Sequence, residues 1–339
     1  MDALLELRHV SREFSVRRGM FDPRPASVKA VNDVSLQLLA GETLGLVGES
    51  GCGKSTLARM ATGLLPPSSG EIFLSGKTLS AWTSLERAGL IQMVFQDPFS
   101  SLDPRQSVGA SIAEPLRLAS RAAGHALSGS EYREKVREIL VQVGLQPEHI
   151  DRYPHEFSGG QRQRIAVARA IIAGPGALVC DEPVSALDAS VQAQVLNLLK
   201  DMQENMGLGY LFISHDLGVI GFMSTRIAVM YLGHIVELAT AEELFTNTFH
   251  PYTKALFSAI PRIEPERKKA HRFILQGDLP TPLNPPRGCP LITRCPFRQS
   301  ICDQSMPELQ EIHPGHSVAC FRAKEFGPFT SFSESFSEK

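Results

Sequence analysis

No stretch of this sequence holds the roughly 18 uncharged apolar residues that a membrane-spanning helix needs, so any role at a membrane has to come through partners. The opening segment, MDALLELRHVSREF, spreads charges along its length and has no apolar run of signal length, so export is not expected. Basic blocks are missing too. The 34 Lys and Arg are offset by 36 Asp and Glu, for a net charge of −2, and no cationic run is long enough to be a nucleic-acid footprint. No nucleic-acid partner is expected, and no repeat of solenoid period occurs. Cysteine is scarce through the first two thirds, with only Cys52 and Cys180, while Cys289, Cys295, Cys302 and Cys320 crowd the last fifth. Without export, that crowding suggests a metal rather than disulfides. What remains is ordinary globular composition, 43% hydrophobic and 21% charged in 339 residues, enough for one large core plus an appendage. The Ser-, Phe- and Glu-rich tail from about Phe326 is expected to be a frayed end.

Short apolar runs alternate with helix-like stretches, the pattern of a parallel sheet covered by helices. Thr43–Val47, Ala177–Cys180 and Tyr210–Ser214 read as buried strands, each followed at once by polar residues. Active sites of such sheets gather at those strand ends. Between about Asp103 and Tyr153 helical periodicity takes over. In Glu131–Val143, for example, Val136, Ile139, Leu140 and Val143 fall on one face, which predicts an inserted helical subdomain. From about His250 the composition shifts again, with Pro261, Pro265, Pro280, Pro282, Pro285 and Pro286 preceding the cysteines.

Gly48-Glu49-Ser50-Gly51-Cys52-Gly53-Lys54-Ser55 fits G-x-x-x-x-G-K-[ST], directly after the first of these strands and before Thr56-Leu57-Ala58-Arg59-Met60, which can start a helix. Its glycines let backbone N–H groups turn toward phosphates, and the helix N-terminus adds a positive dipole end. Lys54 would neutralise the β- and γ-phosphates of a nucleotide, and the Ser55 hydroxyl would ligate Mg²⁺. Cys52 reads as a variable loop position. The strand Ala177–Cys180 ends in Asp181-Glu182, where Asp181 can hold Mg²⁺ and Glu182 can orient or deprotonate an attacking water. His215 ends the next apolar strand, where a ring nitrogen can reach the γ-phosphate. Gln96 follows a further apolar run and can reach Mg²⁺ or the water.

A second anion site stands at Phe157-Ser158-Gly159-Gly160-Gln161, before the helix-like run Ile165–Ile172. The first loop does not need it, which suggests that it serves another subunit's nucleotide. Here the sequence resembles the ABC ATPase family over roughly residues 4 to 245, with a signature motif that closes on the partner's ATP in a head-to-tail dimer. By that resemblance Gly48–Ser55 is the Walker A loop, Gln96 the Q-loop, Ser158–Gln161 the signature and Asp181 with Glu182 the Walker B pair plus catalytic glutamate. Ser185–Asp188 is then the D-loop and His215 the switch histidine. Phe157 stands where Leu is common. Phe14 matches the residue that stacks on adenine, or is an ordinary strand aromatic, in a region lengthened by Met20–Val28.

From Gly53 to Ser158 is 105 positions, too few for the long coiled coil of the DNA-repair branches, and one ATPase domain is too few for the translation-factor relatives. Gln96–Arg105 and His250–Leu256 look like segments of the dipeptide, oligopeptide and nickel importer ATPases. The resemblance implies two transmembrane permease subunits, a second related ATPase and an external substrate-binding protein, with the chain peripheral on the cytoplasmic face of the inner membrane. The alternatives are a soluble regulatory ATPase that senses iron or oxidation, or a nickel or glutathione importer of the same family. The cysteines give C-x5-C-x6-C-x17-C, looser than the pairs of structural zinc. A [4Fe–4S] cluster suits them, and similar cysteines in peptide-importer ATPases are associated with one. Zinc, with His313 and His316 as substitute ligands, and free thiols are the alternatives. The expected fold is an α/β P-loop NTPase (RecA-like) core at 1–102 and 161–248, an inserted helical subdomain at 103–160, and a small metal-binding extension at 249–339.

Overall fold

A computed structural model describes residues 3–17, 25–125, 127–259, 273–277, 280–281, 283, 285–326 and 328–330. Pro261, Pro265, Pro282 and the tail beyond residue 330 lie outside the described residues.

Two sheets organise the chain. In the larger, the strands Ile91–Val94, Ala177–Asp181, Gly209–Ile213, Thr43–Val47 and Arg226–Tyr231 lie side by side and parallel. Ala177–Asp181 and Gly209–Ile213 are buried at every position, which explains their continuous apolar runs: both faces of a parallel sheet are covered. Alternate residues feed two cores. Leu178, Cys180 and Phe212 join the core under the helices Val108–Ala122, Gly129–Gln142 and Gly159–Ile171, while Val179, Leu211 and Ile213 pack with Leu57 and Met60 of the helix Lys54–Ala61. The smaller, antiparallel sheet is built on Ala3–Arg17 and Pro25–Leu39.

The strand expected at Tyr210–Ser214 runs instead from Gly209 to Ile213. The Ser214 hydroxyl accepts the Asp216 N–H at 3.0 Å, and this local turn ends the ladder one residue early. No strand occurs among the described residues between Val94 and Ala177. The helix Gly129–Gln142 there starts with a reciprocal cap: Ser128 N–H donates to Glu131 at 2.6 Å and Glu131 N–H donates to Ser128 Oγ at 3.3 Å. Its face Val136, Ile139 and Leu140 is buried, together with Val143.

The C-terminal residues are not a detached appendage. The strand His316–Val318 pairs with His234–Thr240, and Gln310–His313 pairs outside it, so a C-terminal hairpin forms the edge of the larger sheet. A buried carboxylate secures the junction. Glu237, 0% exposed, accepts the N–H groups of Phe249 at 2.7 Å and His250 at 3.1 Å and meets His316 Nε2 at 2.8 Å. His250 in turn caps the helix Pro251–Ser258, its Nδ1 accepting the Tyr252 N–H at 3.2 Å.

Burial pushes the His250 imidazole down to about 3, and its accepting Nδ1 needs the neutral ring. The unfolded chain takes up a proton near pH 6.5 while the folded one does not, so this contribution is full above that pH and is lost as pH falls. Between pH 7 and 5 we expect about 2 kcal/mol of stability to go through this residue. Denaturant unfolding of the wild type and His250→Asn at both pH values measures it. A wild-type advantage that does not shrink at pH 5 would refute the assignment.

Candidate functional site

The sequence-predicted loop lies between the buried strand Thr43–Val47 and the helix Lys54–Ala61. Gly53 occupies the helix N-cap with φ of 112°, a conformation that L side chains rarely adopt. The loop is braced from within, where Cys52 N–H donates to Glu49 O at 3.3 Å, and from the next hairpin, where Gly233 N–H donates to Cys52 O at 2.9 Å. Cys52 is thus a buried bracing residue, with Sγ 3.8 Å from Lys54 Nζ. Ser50, Gly51 and Ser55 are exposed, and Thr56 is half-buried. Lys54 is 6% exposed, its ammonium donating to the carbonyls of Gly48 at 2.7 Å and Glu49 at 3.0 Å.

Next to the loop, Ser55 Oγ donates to Asp181 Oδ1 at 3.0 Å. These are the two residues assigned to Mg²⁺, and the fold brings them into contact across 126 positions. Burial holds the Asp181 carboxyl above its ordinary range, and Glu182 beside it adds to the rise against the Ser55 hydrogen bond. A buried carboxylate of this kind gains from a cation.

Glu182 collects the other two predicted residues on a single oxygen. Gln96 Nε2 donates to Glu182 Oε2 at 3.1 Å, and His215 Nδ1 lies 3.0 Å from the same atom. Each comes from just past the end of a different parallel strand. Glu182 has φ of 49°, the left-handed region that non-glycine residues occupy at a cost of about 1–3 kcal/mol when the surroundings enforce it. Here the Glu182 N–H donates to Ile213 O at 3.0 Å, pinning the residue to the neighbouring strand.

Ser158 caps the helix Gly159–Ile171 in a reciprocal box with Gln161, so this helix already begins at the glycines. Among the described residues, none of Ser158–Gln161 hydrogen-bonds the loop Gly48–Ser55 of the same chain. Phe157 is 4% exposed and packs edge-on against His149, a core role that leaves the following donors untouched. Phe14 lies on the antiparallel sheet opposite Val28, with the Arg12 guanidinium 4.9 Å over its ring.

Far along the chain, Cys289, Cys295, Cys302 and Cys320 line one apolar pocket, which also takes in His250 and Phe297. Burial pushes the Cys289 thiol up to about 12 and Cys320 to about 11, with the neighbouring cysteines adding to both. Among the described residues no three His, Cys, Asp or Glu side chains are grouped so as to hold a metal ion.

Residues 31–185 match the family model described as ABC transporter, and residues 236–302 match that of the oligopeptide/dipeptide transporter C-terminal region. The oligopeptide transport ATP-binding protein OppF of Haemophilus influenzae is 50% identical, over 95% of this chain and 97% of its own length. The chain belongs to the ABC transporter family, in its oligopeptide and dipeptide transport ATP-binding branch. The di/tripeptide transport ATP-binding protein DppF of Pseudomonas aeruginosa is 48% identical over 96% of this chain and 99% of its own. In structure, the chain is similar to the cassette MJ0796, solved as a dimer in a post-hydrolysis state bound to ADP and phosphate, with a TM-score of 0.62 at 27% identity over 70% of this chain and 98% of that one.

This member of the ABC family therefore carries the α/β P-loop fold expected from its sequence. No helix among its described residues is long and apolar enough to cross a membrane. His313 and His316 do not line the cysteine pocket, and His316 Nε2 meets the buried Glu237 carboxylate. Two residues at the nucleotide loop were not singled out from sequence. Tyr252 and Arg294 both touch Glu49, and only the segment HPYTKAL around the first gave any signal.

Proposed function

We propose that this chain is the ATP-binding and hydrolysing subunit of an ABC importer that moves dipeptides or oligopeptides across the cell membrane. The observation that carries this reading is end-to-end similarity to peptide-transport ATP-binding proteins, which runs through the cysteine region as well as the ATPase core. That extent argues against a soluble regulatory ATPase with an unrelated sensing module.

In this reading Gly48–Thr56 cradles the phosphates, with Lys54 leaving its carbonyl contacts for the β- and γ-phosphates. Ser55, Asp181 and Gln96 would hold Mg²⁺, which would supply charge neutralisation on the phosphate oxygens. Glu182 orients or deprotonates the attacking water, and His215 turns its exposed ring to the γ-phosphate. Ser158–Gln161 completes the site of a second ATPase subunit, and Phe14 stacks on adenine. Closure of the pair is passed through the helical subdomain at 103–160 to two permease subunits. The core comprises 1–102 and 161–248, the extension is 249–339, and an external binding protein delivers the cargo. The chain then sits peripherally on the cytoplasmic side of the inner membrane.

The donor set of the cysteine pocket fits a [4Fe–4S] cluster. Four thiols line one apolar pocket, and an all-thiolate donor set is what such a cluster takes. Cys289, Cys295, Cys302 and Cys320 would hold the cluster, which would supply cross-linking of the loops and a redox centre. Anaerobic affinity purification from solubilised membranes tests both parts. The expected result is co-purification of two multispanning subunits and a brown protein with iron and sulfide. Recovery without membrane subunits would sink the importer reading, and a colourless, iron-free preparation the cluster.

A further inference from the structure

Glu49, the second residue of the phosphate-binding loop, is held on two sides by the C-terminal extension. Arg294 Nη1 donates to both carboxylate oxygens of Glu49, at 3.1 and 2.9 Å, across 245 positions of chain. The Arg294 side chain is 12% exposed and that of Glu49 31%, so the pair is shielded on the arginine side and opens toward the loop. Arg294 itself stands in a tight turn, its N–H donating to Leu291 O at 2.9 Å, immediately before Cys295. On the other side the buried Tyr252 hydroxyl accepts the Glu49 backbone N–H at 2.7 Å. The Tyr252 ring is wedged against Tyr231, with centroids 4.6 Å apart, so the hydroxyl has little freedom to move.

These contacts bear on nucleotide binding in two ways. Lys54 rests on the carbonyls of Gly48 and Glu49, so whatever fixes the Glu49 peptide also fixes where the phosphate-binding ammonium waits. A carboxylate beside the bound phosphates would also repel them, and the guanidinium cancels that charge. We propose that Arg294 and Tyr252 are positioning residues for ATP: a strap from the extension that preorganises the phosphate loop and neutralises Glu49. The strap rests on the reading of Gly48–Ser55 as the nucleotide site. It gives the extension a direct part in ATP binding, and it is built on the same turn that carries Cys289 and Cys295.

The test uses the full-length chain, with equilibrium binding of a fluorescent ATP analogue, steady-state ATPase kinetics and thermal melting. Arg294→Gln is expected to raise the dissociation constant and KM for MgATP about tenfold, with kcat at saturation within about twofold. The double variant Glu49→Gln/Arg294→Gln is expected to recover to within about threefold of wild type, because the bare carboxylate is gone. Tyr252→Phe keeps the ring and removes only the hydroxyl, and is expected to raise KM about threefold or more. A merely structural role would lower the melting temperature and leave nucleotide affinity unmoved. Wild-type affinity in Arg294→Gln, or a double variant no better than the single, overturns the strap. If Arg294→Gln does not fold, an unchanged KM in Tyr252→Phe overturns it. Lys54→Ala separates the two levels. Retained MgATP binding there sinks the assignment of the loop, whereas binding lost in Lys54→Ala but kept in both strap variants sinks only the strap.

Discussion

Glu182→Gln is expected to lower ATP turnover about 10²- to 10⁴-fold while leaving MgATP affinity within a few-fold, and to trap an ATP-bound dimer. Glutamine has the shape of the native side chain but carries no charge and is a poor base. The loss therefore falls on the step in which water is oriented and deprotonated. The geometry favours a single-residue effect, because one Glu182 oxygen gathers both Gln96 at 3.1 Å and His215 at 3.0 Å. The left-handed backbone at φ of 49° aims that oxygen, and it is unchanged by the substitution. Single-turnover hydrolysis and size-exclusion chromatography with ATP give the two readouts. Turnover within about threefold of wild type would remove Glu182 from the role of base.

Gly53→Ala is expected to be strongly damaging to the phosphate loop. A methyl group there would lie 2.1 Å from the carbonyl oxygen of Ala30, a backbone atom that cannot swing aside, and φ is +112°. We expect a loss of about 3 kcal/mol in stability, and loss of MgATP binding in whatever folded protein remains. Gly51→Ala is the matched comparison. Its φ is +80°, but no atom lies within 4 Å of the added methyl, so only the conformational cost of about 1 kcal/mol applies. Equal melting temperatures for the two variants would show that the Ala30 contact is not what demands glycine.

Much of the nucleotide site is legible in sequence because its parts are local. A strand, a glycine turn and a helix start are encoded within the same short segment, and Thr43–Val47 with Lys54–Ala61 stands where that pattern puts it. The acidic pair at 181–182 is legible for the same reason, as the end of a run buried on both faces. Strand ends are less so. Tyr210–Ser214 shifts by one residue because a serine hydroxyl competes for the backbone at that point, and apolar periodicity carries no record of such a bond. The cysteine region was legible as four cysteines crowded in sequence and not as a shape, since their spacing in a proline-rich segment does not specify that all four line one pocket.

The order of the motifs along the chain pointed to an ATP-driven member of the ABC transporter family, and that order is a property of sequence alone. Tertiary structure decided what those motifs touch. The order of the parallel strands puts Gln96 and His215 on one oxygen of Glu182, and the C-terminal hairpin joins the edge of that same sheet. With the extension so fixed, Arg294 reaches Glu49 across 245 positions. Contacts of that separation depend on sheet order and on the packing of buried polar groups such as Glu237, which no local pattern of residues encodes.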